Sequence, residues 1–373
     1  MLSRRNFLAL SASGAALAAS GLPALRPAAA ADPGKLTVVI SSASFEPGTS
    51  TLTSLPDALG FWKEDGLEVT LRSARGSALG AQIVMTGEAD VVHAGTSVGL
   101  MQPVAQGADL KAWYNMIIHN FQMPAVPEDS PIKTLADLKG KKLGVIGQAT
   151  ATIPIVKAVL EDAGLDPETD VTFVDVGYGA QAAAALWVTK RVDGLAMYDS
   201  VYAAIENVDP TKYKLRIISS PLADRVSFQT ALISRSETLA NKRKELIALG
   251  KGQAKASIFA LTNPEAAVRL HWQRYPEQRK AGMDEAVALD QEIRGLMARL
   301  TNMRIDTMAV KRDKWGYMDP IDVSTYLEML QKIGSISKDV KANQLYTNDL
   351  IAGINDFDAK AIVEMAKNYK VKG

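Results

Sequence analysis

The sequence predicts an α/β protein of two lobes, each a mostly parallel sheet covered by helices. Three observations carry this. Short apolar strand candidates alternate with segments of helical periodicity, the pattern that builds parallel sheets through crossover helices. The alternation breaks at Pro124 to Pro131, a stretch rich in proline and acid, and then restarts. The length of 373 residues, with 47% hydrophobic and 22% charged residues, suffices for two well-buried cores.

The first residues stand apart from that globule. Ser3-Arg4-Arg5-Asn6-Phe7-Leu8 is a twin-arginine export motif, followed by a weakly apolar segment to Leu25 and an Ala-rich stretch at Ala28 to Ala31. Residues 1–31 are therefore expected to be a signal peptide cleaved after Ala31. Gly14, Gly21 and Pro23 make this segment a poor spanning helix. Cysteine is absent, which removes disulfides, thiolate catalysis, Cys-ligated metals and a lipidated anchor. Lys plus Arg number 42 against 41 Asp plus Glu, so no charge excess draws the protein to nucleic acid or to an anionic membrane.

In the first lobe, strands are expected at Leu36 to Ile40, Leu67 to Leu71, Asp90 to His93 and Lys111 to Ile118, with Ser41 to Ser54 as a polar loop. Gly60 and Gly66 bracket an amphipathic turn, and Ala78 to Thr86 is a helix stopped by Gly87. Beyond the break, Lys139 to Ile146 forms a turn and strand and Thr152 to Ala163 a helix. Strands follow at Val171 to Val174, Gly194 to Met197 and Leu215 to Ile218, with a helix through the alanines 182–185. The apolar strand Phe228 to Ser234 leads into long helices at Ala240 to Leu261, Pro264 to Arg274, Asp284 to Leu300 and Ile321 to Lys332. Asp358 to Asn368 is expected to be a last helix.

Two segments carry a family resemblance. The first runs Leu59-Gly60-Phe61-Trp62-Lys63-Glu64-Asp65-Gly66-Leu67-Glu68-Val69, then Arg75-Gly76-Ser77 and Thr86-Gly87-Glu88-Ala89-Asp90. The second is Asp137-Leu138-Lys139-Gly140-Lys141-Lys142-Leu143-Gly144-Val145. Together they resemble the solute-binding proteins of bacterial ABC importers, in the branch for sulfonates, taurine, nitrate and thiamine-pyrimidine precursors. The resemblance covers nearly the whole chain after the leader and implies a type II periplasmic binding fold. It also implies that Phe228 to Ser234 is the return strand, so that two strands cross between the lobes. Lobe 1 then comprises residues 36–122 and 227–345, lobe 2 residues 123–226, and 346–373 a C-terminal tail helix. The implied protein is a periplasmic monomer without cofactor, partnered by a small-molecule ligand and an inner-membrane ABC permease. It captures a small organic anion, a sulfonate or aromatic carboxylate, by closing its lobes.

Ligands of open parallel sheets sit at the carboxyl ends of strands, where helix N-termini offer free N–H groups and the positive end of the dipole. Four such junctions carry small hydroxyl residues. Ser44 and Thr51 follow the first strand, and Arg75 and Ser77 the second. Thr96 and Ser97 follow the third, and Gln148, Thr150, Ala151 and Thr152 the first strand of lobe 2. Arg75 is the one cation in these loops and the candidate partner for a carboxylate or sulfonate. As a plainer reading, Ser77, Ser97 and Thr152 are helix N-caps. Lobe 2 adds Tyr178 and Tyr198, whose rings can wall a flat ligand, and Asp199, which can accept from a ligand amine or cap a helix. Trp315 is expected in the core.

Histidine occurs only as His93, His119 and His271, none at metal-ligand spacing, and no nucleophile, phosphate-loop or dinucleotide motif is present. His93 is read as a hydrogen-bonded core residue. Two alternatives stay open: a thiamine-pyrimidine-like or other neutral heterocycle as ligand, or a pyrimidine synthase-like enzyme on the same scaffold. The known enzyme of that type uses a cysteine-rich segment that this chain lacks.

Overall fold

Strand β1 (Gly34–Ile40) is an interior strand of the first sheet because its apolar residues Leu36, Val38, Val39 and Ile40 have both faces covered. The computed structural model describes residues 33–371, apart from 43, 149, 151, 223–225, 280–281 and 306–312. The expected signal peptide therefore lies outside the described residues.

β1 pairs in parallel with β2 (Leu67–Ser73) and β3 (Val91–Gly95). Edge strand β2 alternates buried and exposed side chains, as one covered face requires. β10 (Thr230–Arg235) runs antiparallel between β3 and β4 (Leu110–Ile117), giving the order β2-β1-β3-β10-β4. The second sheet repeats this design as β7-β6-β8-β5-β9, from β5 (Pro124–Pro127), β6 (Lys141–Val145), β7 (Val171–Asp175), β8 (Gly194–Ala196) and β9 (Leu215–Ile217). β6 is parallel to β7 and β8, while β5 is antiparallel to β8 and β9. Both sheets are thus mixed, each with one inserted antiparallel strand.

Two expectations need correction. The proline-rich break contains strand β5, because its prolines stand at the two ends. Pro124 uses its carbonyl to accept from Ile218 N at 2.8 Å, so its missing N–H costs nothing there. The polar run after β1 is not all loop either. Ser50–Thr53 is a buried helical turn in which the Thr53 hydroxyl donates to Thr49 O at 3.0 Å.

Eight helices matter below: α1 (Ser77–Met85), α2 (Thr152–Asp162), α3 (Asp199–Glu206), α4 (Arg243–Thr262), α5 (Pro264–Arg274), α6 (Glu285–Thr301), α7 (Pro320–Lys332) and α8 (Ala359–Asn368). Asn263, Asp284, Asp319 and Asp358 each cap the helix that follows through a side-chain oxygen. α8 docks on α4 by the edge-on Phe259–Tyr369 pair at 5.2 Å.

The chain crosses between the sheets twice, at 118–123 and at 218–229. On the second crossing the fully buried Phe228 holds a left-handed backbone, φ 66°, and its carbonyl accepts the Thr96 hydroxyl. α7 bridges the lobes on one side: Tyr326, Leu327 and Leu330 share a core with Leu100 and Met101 of lobe 1 and with Ile155, Val156 and Val159 of α2. The opposite side of the crossings is open, and the strand ends face it.

Candidate functional site

A cleft of two connected chambers lies between the lobes. The inner chamber, about 300 Å³, is lined from lobe 1 by Ser41 and Ser42 after β1, Gly76 and Ser77 at the start of α1, and His93 to Gly95 at the end of β3. Phe121 and Gln122 come from the first crossing, Thr230 from β10 and Arg299 from α6. Lobe 2 contributes Thr150, Thr152, Tyr198 and Ser200. The outer chamber, about 350 Å³, shares Glu46, Gly48 and Ser200 with the inner one and adds Ser44, Tyr178 and the α6 residues Gln291 and Glu292. Chambers of this size suit small molecules.

Helix ends converge here. Gly76 precedes α1 with φ 102°, a conformation open to glycine, and no side chain caps that helix, so its first N–H groups are directed to the cleft. α3 is likewise without a side-chain cap at Tyr198. The close approach of α1 to the sheet depends on Gly80, where a Cβ would meet Ser41 Oγ and Val92 Cγ2 at 2.8 Å.

Arg299 is the only Lys or Arg among the described residues lining the inner chamber. Its guanidinium spans the lobes: Nη2 lies 2.8 Å from Asp199 Oδ1, with the two side chains 14% and 7% exposed. The guanidinium carbon lies over the Phe121 ring, 4.8 Å from its centre, and 5.9 Å from the centre of the Tyr198 ring. Asp199 also accepts from Asn302 Nδ2 at 2.9 Å and from Ser200 N at 2.6 Å.

Four residues of the inner chamber each keep a buried polar atom with no protein partner: Ser41 Oγ, His93 Nδ1, Gln122 Oε1 and Arg299 Nε. Each such atom costs about 1–3 kcal/mol, so their gathering at one place needs a cause, and a bound ligand supplies one. Burial, then the Arg299 charge, lowers the His93 pKa to about 4, so the imidazole is neutral near pH 7. Glu46 lines both chambers and is exposed, with protein close around its carboxyl end. That desolvation raises its carboxyl above the usual value, and Arg299 opposes the rise. Tyr198 is pushed up to about 12, chiefly by burial.

The structure brings seven of the expected residues to the cleft. Ser77, Thr150, Thr152 and Tyr198 line the inner chamber, and Ser44 and Tyr178 the outer one. Asp199 stands behind the wall as the partner of Arg299. Ser77 does not cap α1; its Oγ accepts from Gly95 N at 2.9 Å and ties the helix start to β3.

Five others lie elsewhere. Thr51 is buried against α4, its Oγ1 accepting from Gln253 Nε2 at 2.9 Å. Thr96 holds the second crossing through Phe228, and Ser97 is buried. Gln148 faces outward and donates to Asp175 Oδ1 at 2.8 Å. Arg75 is exposed and lines neither chamber. Ala151 lies outside the described residues. Trp315 is 9% exposed and packs in the lobe 1 core.

Sequence reasoning passed over Arg299, Glu46, Phe121 and Gln122, and took His93 for a satisfied core residue. Its unpartnered Nδ1 and place in the cleft lining correct that reading. Only His93, at the end of a buried strand, carried a signal that could have marked it.

A family model described as NMT1/THI5 like matches residues 54–267. A protein of Brucella abortus, provisionally named a binding protein, is 26% identical over 269 residues, covering 72% of this chain and 78% of its own length. The alkanesulfonate-binding protein SsuA of Xanthomonas axonopodis pv. citri, solved with MOPS bound, has a TM-score of 0.56 at 17% identity, covering 87% of this chain and 99% of that one. The desulfurization enzyme DszB has a TM-score of 0.52 at 15% identity, covering 85% of this chain and 98% of its own. At these identities the two structural likenesses establish a common fold and no common ligand.

Proposed function

The chain belongs to the NMT1/THI5-like family, and from that premise we propose that it is the periplasmic solute-binding component of an ABC importer, taking up a small organic anion. The observation that carries the reading is the group of four unpartnered polar atoms on residues lining a small-molecule-sized cleft between two lobes. Arg299 and the uncapped N-termini of α1 and α3 favour negative charge there, which fits a sulfonate or an aromatic carboxylate. A cysteine-dependent enzyme on this scaffold is disfavoured because the chain has no cysteine.

Ligand first settles on the strand ends of lobe 1, residues 36–122 and 227–345, where Ser41, His93 and Thr230 lie. Lobe 2, residues 123–226, then rotates about the two crossings and brings Thr150, Thr152 and Ser200 onto it. Closure needs contacts that exist in the closed state only, so both lobes must touch the ligand. The closed monomer delivers its load to a membrane permease. Export by the twin-arginine leader completes this reading, and the exported protein should begin at Asp32.

A second reading has its own support. The faces of Phe121 and Tyr198, the neutral imidazole of His93 and the Gln122 amide suit a neutral heterocycle such as a thiamine-type pyrimidine. Thermal shift across sulfonates, aromatic acids and pyrimidines separates the two. A ligand at a hundredfold its dissociation constant stabilises by about 2.7 kcal/mol. Stabilisation by pyrimidines alone refutes the anion assignment, and turnover of any ligand refutes the binding-protein reading.

A further inference from the structure

The lobes meet on unlike surfaces at α7 and at α3. The α7 surface is one shared apolar core, which takes in Leu327 and Leu330 of α7, Met101 of lobe 1 and Val156 of α2. Where α3 meets α6 the apolar side chains divide: Leu289 and Leu296 of α6 belong to the core of lobe 1, Val201 and Ile205 of α3 to a separate core of lobe 2. Side-chain hydrogen bonds join these two helices. At one end Arg299 pairs with Asp199. At the other, Asn207, which follows α3 directly, donates from Nδ2 to Gln291 O at 3.1 Å, and Gln291 Nε2 donates to Asn207 O at 3.1 Å. Arg294 Nε completes the set by donating to Asn207 Oδ1 at 2.9 Å. Asn207 and Gln291 also stand on opposite walls of the outer chamber, so parting α3 from α6 uncovers that chamber.

Resting on the two-lobe clamp above and not on the charge of its ligand, we propose that Asn207, Gln291 and Arg294 form a latch. It holds the cleft shut before any solute arrives, and solute enters through a minor open state whose population the latch sets. Both partners of each bond are protein groups, so closure at this seam requires nothing from the ligand. Parting the α7 core exposes apolar area to water, whereas water replaces the hydrogen bonds of the seam at small net cost. The lobes therefore open along α3 and α6 and stay together at α7. Apparent affinity falls in proportion to the open fraction, so residues of the seam tune uptake through that population.

A distance measurement between spin labels tests this without any ligand. The chain has no cysteine, so Val208→Cys beside Asn207 and Val287→Cys on α6, at positions 46% and 49% exposed, can be labelled without competition. With the latch intact, double electron–electron resonance on the dialysed protein should give one dominant short distance. Asn207→Ala removes two of the three bonds and should raise the ratio of a longer distance to the short one about tenfold. Arg294→Met removes one bond at a side chain 44% exposed and should raise it about threefold, which keeps the test alive if Asn207→Ala does not fold. A long distance that dominates with the latch intact overturns the inference. A distribution that neither variant changes overturns the latch while leaving the clamp in place, provided that Asn207→Ala combined with Arg299→Met opens the protein. A short distance that survives that combination overturns the clamp, and the inference with it.

Discussion

Replacing Arg299 by Met keeps the length and packing of the stem over Phe121 and Tyr198 while removing the charge. Asp199 is then left 7% exposed without its cation. Breaking a buried pair from one side costs about 3–5 kcal/mol. Asp199 retains the bonds from Asn302 Nδ2 and Ser200 N, which lowers the expected loss to about 2–3 kcal/mol. Asp199→Asn should cost less, about 1–2 kcal/mol, since the cleft can hydrate the freed guanidinium. The double variant should recover about 1–2 kcal/mol relative to the sum of the two. With an unfolding entropy of about 2 cal/mol/K per residue, the Met variant should melt roughly 3–4 °C lower. Urea denaturation of the four proteins closes the cycle, and small-angle scattering reads the lobe separation, since the pair joins α3 to α6. Single losses under about 0.5 kcal/mol that simply add would refute a buried inter-lobe pair.

Other consequences are sharper in sign than in size. His271 is fully buried, its Nε2 donating to Phe45 O at 2.8 Å and its Nδ1 accepting from Ser54 at 2.8 Å, and its pKa is lowered to about 4. Below the unfolded value of 6.5 the unfolded chain binds the proton and the folded chain does not, so stability is whole above that pH and falls as pH drops toward 4. The loss from His271 at pH 5 is about 2 kcal/mol, and His93 acts in the same sense; a flat stability from pH 7 to 5 by urea titration contradicts the burial argument. Gly80→Ala sets a Cβ 2.8 Å from Ser41 Oγ and Val92 Cγ2, so about 1–2 kcal/mol of strain should outweigh the gain in helix propensity, and ligand affinity should fall because Ser41 is displaced. Thr51→Val should cost about 1 kcal/mol through Gln253 Nε2 yet leave ligand affinity unchanged, and Arg75→Ala should change neither; a loss of affinity from either by calorimetry returns that residue to the site. Arg299→Lys keeps the charge but not the fork, and should weaken anion binding by about tenfold or more; affinity equal to the natural protein would reduce Arg299 to a point charge.

The fold was legible wherever burial dictates composition. β1, β3, β4, β6 and β10 are runs of apolar residues because both of their faces are covered, and such runs announce themselves. β5 did not, because Pro124 and Pro127 are breakers by local rule; only the partners β8 and β9 reveal that Ala125 and Val126 alone need to donate to the ladder. The strand-end junctions were legible from topology, which is why Ser77, Thr150, Thr152 and Tyr198, expected at the strand ends, line the cleft. Thr51 and Thr96 have the same composition and neighbouring positions, yet their hydroxyls hold Gln253 and the second crossing. Arg299 illustrates what no local pattern carries. Arg294 and Arg299 share one helix, five residues and thus about 140° apart around its axis. The first is 44% exposed and paired to Asp290 at the surface, and the second is 14% exposed in the cleft. Only the approach of lobe 2, which comes from a distant part of the chain, distinguishes them.

That approach also explains why the site cation is an arginine. A guanidinium has five N–H donors in a rigid plane. Nη2 is engaged by Asp199 and Ser200 across the lobe boundary, the guanidinium carbon stands 4.8 and 5.9 Å from the ring centres of Phe121 and Tyr198, and Nε remains without a partner. One side chain can therefore hold the lobes in register and still present a fixed donor to a ligand, which a single ammonium cannot do without leaving Asp199. Because Asp199 already balances the charge of Arg299, the anion of the proposed function would be drawn largely by oriented N–H groups and helix ends, whose pull is set by geometry. Selection by direction in place of net charge suits a chain whose 42 basic and 41 acidic residues give it almost no long-range field of its own.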